Sequence, residues 1–142
     1  MADRPSVFVD ANVLASALYS ARGAPRQLLD LSMAGSIQLV VPEQVLREFT
    51  RAVRLKLPAA LPQLYDFFAT QPLEVAPDPS EAQVQILAPT INASDAYIIA
   101  AAALSEADLF VTGDHRLLRE LGTMSMTFKA VTPREFVEGF TR

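Results

Sequence analysis

Ser6-Val7-Phe8-Val9-Asp10-Ala11-Asn12-Val13-Leu14 is the stretch on which the reading of this chain turns. A short β-branched and aromatic run ends on an acid, a polar turn follows, and Val13 to Leu18 reads as helix. Strands with no polar alternation belong to sheets covered on both faces. An acid closing such a strand is costly unless something pairs with it, so Asp10 has few ordinary roles and anchors the functional reading.

The same order repeats along the chain. Ala24 to Met33 reads as helix, with Pro25 in its first turn and Gly35 just past its end, before the apolar strand Ile37 to Val41. Pro42 opens a helix whose Val45, Phe49, Ala52 and Val53 share one face, and the Pro58 to Pro62 stretch punctuates it before a helix over Gln63 to Ala69. Leu73 to Ala76 reads as a short strand, Pro77 to Ser80 as a loop and Glu81 to Leu87 as a weak helix. Ser94 is the expected N-cap of an Ala-rich helix, Asp95 to Ser105, which precedes the strand Leu109 to Thr112. A short helix from Asp114 to Leu121, a strand over Met126 to Val131 and the capping box Thr132-Pro133-Arg134-Glu135 complete the pattern. Short apolar strands alternating with helices predict an α/β fold built on a parallel sheet.

Length and composition narrow the class. The 142 residues suit one compact domain, residues 1–142, and 51% hydrophobic with 20% charged residues excludes a disordered chain. With no cysteine and one histidine, neither a disulfide framework nor a thiolate zinc site can form, so any metal must be held mainly by oxygen. The start of the chain lacks the order of a secretory signal and the longest apolar run, Ala96 to Leu104, is too short to cross a bilayer, so a soluble cytoplasmic protein with no membrane association is expected. A net charge of −4 and a pI near 4.9 argue against a strongly electrostatic nucleic-acid binder. Part of that charge, however, belongs to the proposed site, where cations would cancel it.

In parallel sheets ligands bind beyond the carboxyl ends of the strands, where Asp10 and Asp114 both fall. Asp95, in the first turn of its helix, points toward the same rim, and Glu48 is a fourth candidate. Crowded carboxylates repel unless a divalent cation offsets them, which makes a magnesium or manganese site the natural resolution. Each acid also has a plain reading: Asp114 caps its helix, Asp95 favours a helix dipole and Glu48 sits on a solvated face. Arg47, Arg51 and Arg54 recur at helical spacing on the helix that carries Glu48 and could track an RNA backbone, although a solvated face is the plainer account, as it is for Arg22 and Arg26. His115 reads as structural rather than as a general acid. Leu61, Leu64, Tyr65, Phe67 and Phe68 form an apolar cluster suited to a core or an interface.

The segments VFVDANVLASAL, VPEQVLREF, SDAYIIAAA, LFVTGD and VTPREF together resemble the PIN-domain family, and within it the toxin components of bacterial toxin-antitoxin pairs. The resemblance covers nearly the whole chain. It implies a three-layer α/β/α sandwich around a mainly parallel sheet of about five strands. It assigns metal binding and catalysis to Asp10, Glu48, Asp95 and Asp114, with Asn12, Thr112 and Ser94 as supporting polar residues. It implies Mg2+- or Mn2+-dependent cleavage of RNA, homodimerisation, and capture by a cognate antitoxin. The sequence departs from the family's pattern at Asn92, Ser94 and Arg116, where relatives often carry further acids. It departs again at Pro42, where a serine or threonine cap is usual and which leaves Glu43 as a rival to Glu48. Two other readings stand beside the nuclease: a PIN-fold RNA- or protein-binding module with weak or no catalysis, and a phosphotransfer domain for which Lys129 is the only late lysine.

Overall fold

The computed structural model describes residues 4–89 and 91–140. The first residues of the amino-terminal stretch, and so part of the basis for expecting no leader, lie outside that range.

Five strands, β1 (Ser6–Val9), β2 (Gln38–Pro42), β3 (Leu73–Ala76), β4 (Leu109–Val111) and β5 (Lys129–Val131), form one all-parallel sheet in the order β3-β2-β1-β4-β5. Helices α1 (Ala11–Tyr19), α2 (Ala24–Met33), α3 (Glu43–Lys56), α4 (Leu61–Thr70), α5 (Glu81–Leu87), α6 (Ala93–Leu104), α7 (His115–Leu121) and α8 (Pro133–Phe140) cover it.

Alternation along the strands divides the core into two layers. Val7, Val9, Leu39, Val41 and Val111 face the helices α1, α2, α3, α4 and α8. Phe8, Val40 and Phe110 face α6 and α7, with Val84 and Leu87 of α5 packed at the margin. This explains the uninterrupted apolar runs: Val7, Phe8 and Val9 are all fully buried because the central strand has a helical layer on each side. Phe8 lies in register with Phe110, and their rings meet edge to face at 5.3 Å; Phe128 continues the stack at 5.7 Å from Phe110. The expected α/β/α sandwich with five parallel strands is the observed architecture.

The strand order also decides between two expected classes. Phosphotransfer domains of the response-regulator kind carry the order 2-1-3-4-5, so the arrangement here removes that reading.

Several boundaries differ from the sequence expectation for local reasons. Pro42 closes β2 and stands at the N-cap of α3 without a side-chain acceptor; Asp78, from the loop after β3, supplies one instead by accepting from the Gln44 amide at 3.2 Å. The N-cap of α6 is Asn92, not Ser94: its carboxamide oxygen accepts from the Asp95 amide at 2.9 Å, and Ser94 lies inside the first turn. An asparagine is as good a cap as serine, and using it starts the helix two residues earlier than expected. β5 is shorter than expected because Met126 is irregular and Thr127 and Phe128 bend the chain, so Met126 and Phe128 pack against the core from outside the strand. Gly35 takes φ 81° after α2, a backbone that glycine adopts without steric cost, and lets the Ser36 amide reach back to Leu31 O at 2.9 Å. The expected capping box at α8 is present: Thr132 N donates to Glu135 Oε1 at 2.9 Å and Glu135 N to Thr132 Oγ1 at 3.0 Å.

Because Phe110 is fully buried between two aromatic partners, Phe110→Ala should lower unfolding free energy by about 3–5 kcal/mol, read from urea denaturation; a loss below ~1 kcal/mol would refute the central place given to this stack.

Candidate active site

The sheet reverses direction of growth at the β1/β4 junction: β2 and β3 extend it one way from β1, β4 and β5 the other. The helices that follow β1 and β4 leave toward opposite faces of the sheet, which makes this seam the natural place for a ligand. Asp10 follows the last residue of β1, and Thr112, Gly113 and Asp114 follow the last residue of β4.

Asp10 is the N-cap of α1. Its Oδ1 accepts from the Val13 amide at 3.0 Å and its Oδ2 from the Thr112 hydroxyl at 2.5 Å. Thr112 is fully buried; its Oγ1 also accepts from the Asp114 amide at 3.2 Å, so one hydroxyl links the ends of both strands. Asp114 caps α7, with Oδ1 accepting from the amides of Arg116 and Leu117 at 3.0 and 3.1 Å. Asn12, Val13, Gly113 and Asp114 line a cleft of about 410 Å3 between α1 and the end of β4. Burial raises the pKa of Asp10 above the usual carboxylate value; the bonds from Thr112 and Val13 oppose this, and the charge of Asp114 adds to it.

Asp95, in the first turn of α6, is 6% exposed and fully engaged on one oxygen. Its Oδ2 accepts from Asn92 Nδ2 at 3.0 Å and from Arg116 Nη1 at 2.6 Å. The other amino group of the same guanidinium lies 3.7 Å from Asp114 Oδ2, and Nη1 lies 3.8 Å from Glu120 Oε2, a buried oxygen with no hydrogen-bond partner. The hydrogen bond and charge of Asp95 hold the Arg116 guanidinium firmly protonated. Asp10, Thr112, Asp114, Arg116 and Asp95 thus form one connected polar chain along the rim.

Glu48 stands apart from that chain. It is exposed on α3, accepts from Gln44 Nε2 at 3.4 Å, and its charge acts on Tyr97. Among the described residues no three histidine, aspartate or glutamate side chains come close enough to hold a metal ion, so the four acids do not converge into a single ligand set. The fit to a hard cation therefore rests on Asp10 and Asp114. Magnesium commonly keeps several waters and takes only one or two carboxylates from the protein, a demand this pair meets. Ser94 donates to Asn92 Oδ1 at 3.1 Å and supports the cap rather than a carboxylate. His115 is exposed at the start of α7.

The arginine stripe on α3 is divided in its use. Arg47 is paired with Glu43 at 2.8 Å and reaches Asp78 at 3.9 Å. Arg51 and Arg54 border a cleft of about 620 Å3 with an apolar floor that includes Leu46, Leu55 and Phe68. Glu43 lines this cleft and is engaged by Arg47, so it is no nearer to a ligand role than Glu48. Of the expected apolar cluster, Leu64 and Phe67 are core residues, whereas Tyr65 and Phe68 are exposed.

Two residues of this region carried no expectation. Asp78 accepts from the Tyr97 hydroxyl at 2.6 Å as well as from Gln44 N, and burial together with that bond raises the pKa of Tyr97. The α7 spacing of Arg116 and Glu120, four apart, was the available signal for their pairing.

A parallel α/β protein with paired acids at its switch point defines a broad class, and sequence comparison narrows it. The family model of the PIN domain matches residues 6–116, and the chain belongs to the PIN-domain family, whose members are generally nucleases. No curated protein sequence matches it. A chain of VapBC2 from Rickettsia felis, solved bound to a DNA fragment from its promoter, superposes with TM-score 0.67 at 17% identity, covering 89% of this chain and 98% of that one. PAE2754 from Pyrobaculum aerophilum superposes with TM-score 0.65 at 20% identity, covering 99% of this chain and 94% of that one. No helix among the described residues is long and apolar enough to cross a membrane.

The raised pKa of Asp10 makes its ionisation work against folding at neutral pH, a penalty relieved as pH falls through the folded-state value. Asparagine keeps the N-cap acceptor without the charge. Asp10→Asn is therefore expected to melt higher than the wild type at pH 7 in chelator, with the margin shrinking toward acid pH. A variant that melts lower at pH 7 would contradict the assignment of burial as the dominant cause.

Proposed function

We propose that this chain is a Mg2+- or Mn2+-dependent endoribonuclease, the toxin of a toxin-antitoxin pair. The observation that carries the reading is the pairing of Asp10 and Asp114 across the β1/β4 switch point through the buried Thr112 hydroxyl.

Asp10 and Asp114 would hold the cation, which when bound supplies Lewis acidity and a water acidic enough to attack a phosphodiester near neutral pH. The chain's own part is positional. Thr112 and the Val13 amide fix both oxygens of Asp10, so the carboxylate needs no reorganisation on binding. The amides at the start of α7 orient Asp114 and leave its Oδ2 toward the rim. Asn12 at the mouth of the cleft can donate to a phosphate oxygen, and Arg51 and Arg54 offer positive charge for the RNA backbone. Glu48 would join only after a rearrangement on substrate binding, and Asp95 would act through its pairing with Arg116. Family membership and the fold shared with the VapBC2 chain favour capture by a cognate antitoxin, and the same reading has the protein act as a homodimer in the cytoplasm.

A second reading, a PIN-fold RNA- or protein-binding module with little catalysis, is favoured by one observation: Asp95 is already neutralised by Arg116.

The purified wild type should cut RNA when Mg2+ or Mn2+ is present and stop on chelation. Asp10→Asn and Asp114→Asn should each reduce that cleavage by about 100-fold or more with the circular dichroism spectrum unchanged. Cleavage that survives both substitutions overturns the nuclease assignment, and wild-type protein that binds RNA without turnover favours the binding module.

A further inference from the structure

We infer that Arg116 is an internal counter-cation that withholds Asp95 from divalent metal, so that metal binding centres on Asp10 and Asp114 alone. The inference rests on the metal-site reading above and specifies which acids take part in it.

Asp95 is almost wholly buried, and a buried carboxylate needs a partner of opposite charge and good geometry. Arg116 provides both: a short charge-assisted bond to Asp95 Oδ2 at 2.6 Å, with Asp114 at 3.7 Å and Glu120 at 3.8 Å around the same guanidinium. Three carboxylates from α6 and α7 therefore surround one cation that belongs to the chain. A metal ion taking Asp95 Oδ2 must displace that guanidinium, and one taking Oδ1 must sit beside its positive charge. Asn92 strengthens the hold by donating to the same Asp95 oxygen at 3.0 Å. Asp10 is under no such claim: its partners are a hydroxyl and an amide, which orient a carboxylate without neutralising it.

Mn2+ binding, followed by the electron paramagnetic resonance of free Mn2+, separates the possibilities without any activity measurement. In the wild-type background Asp95→Asn should change the Mn2+ Kd less than about twofold, since an oxygen already claimed by Arg116 contributes little. Arg116→Gln should tighten Mn2+ binding about tenfold or more, and adding Asp95→Asn to it should cancel that gain. A tenfold weakening by Asp95→Asn alone, or an unchanged Kd in a folded Arg116→Gln protein, overturns the inference. Should Arg116→Gln fail to fold, the wild type decides: the guanidinium 15N signals of Arg116 should persist at saturating Mg2+, and their loss overturns the inference. Asp10→Asn separates the two levels of the reading. Mn2+ binding that survives it overturns the metal site itself, whereas binding lost with Asp10 but indifferent to Arg116 overturns only the role given to the arginine.

Discussion

The burial of β1 on both faces, between two strands and two helical layers, is the constraint on which the rest of this molecule depends. A strand so enclosed carries no polar side chain beyond its entry residue Ser6, and Val7, Phe8 and Val9 are fully buried. Polar chemistry is then displaced to the strand's end, where the first free amides of α1 and the end of β4 meet. Thr112 shows how narrow the solution is. Its hydroxyl is buried, yet it serves an acid after one strand and an amide after the other, so it is not itself left unpaired in the interior.

Position along a strand separates structural acids from candidate ligands. Asp108, at the amino ends of the strands, accepts from the Ser6 amide at 2.8 Å, donates its own amide to Ser6 O and offers its carbonyl to Lys129 N, so it is spent on holding β1, β4 and β5 in register. Asp10 and Asp114, at the opposite ends, each spend one oxygen on a helix cap; the second oxygen of Asp10 accepts from Thr112, and that of Asp114 lies 3.7 Å from Arg116. Capping and ligand binding are therefore not rival explanations for these two residues: a cap fixes the rotamer that a ligand requires.

The order of elements was legible in the sequence because each buried strand is a short unbroken apolar run and proline or glycine punctuates the helices between them. Asp10 and Asp114 were legible as rim residues because an acid at or within a few residues of the end of such a run has a predictable place. Interactions between distant positions were not. The cap of α6 was misplaced because Asn92 and Ser94 are both good caps two residues apart, and nothing local decides between them. The Arg116 to Asp95 bond spans 21 residues and the Asp78 to Gln44 bond 34, and neither leaves a periodic trace. Glu48 was assigned to the site by resemblance, and its exposed side chain accepts from Gln44 one turn away, outside the polar chain that links Asp10 to Asp95.

The bonds made by Asp78 reach further than a missing helix cap. Asp78 follows the edge strand β3 and grips α3 through Gln44 and α6 through Tyr97, helices that cover opposite faces of the sheet. It therefore acts as a clasp folded over the open border of the sheet, beside a strand whose outer hydrogen-bonding groups have no neighbouring strand and whose Val75 is exposed. Borders of this kind invite strand addition by other chains. A single carboxylate that ties together the helices flanking that border is one of the ways a sheet edge is kept from standing bare.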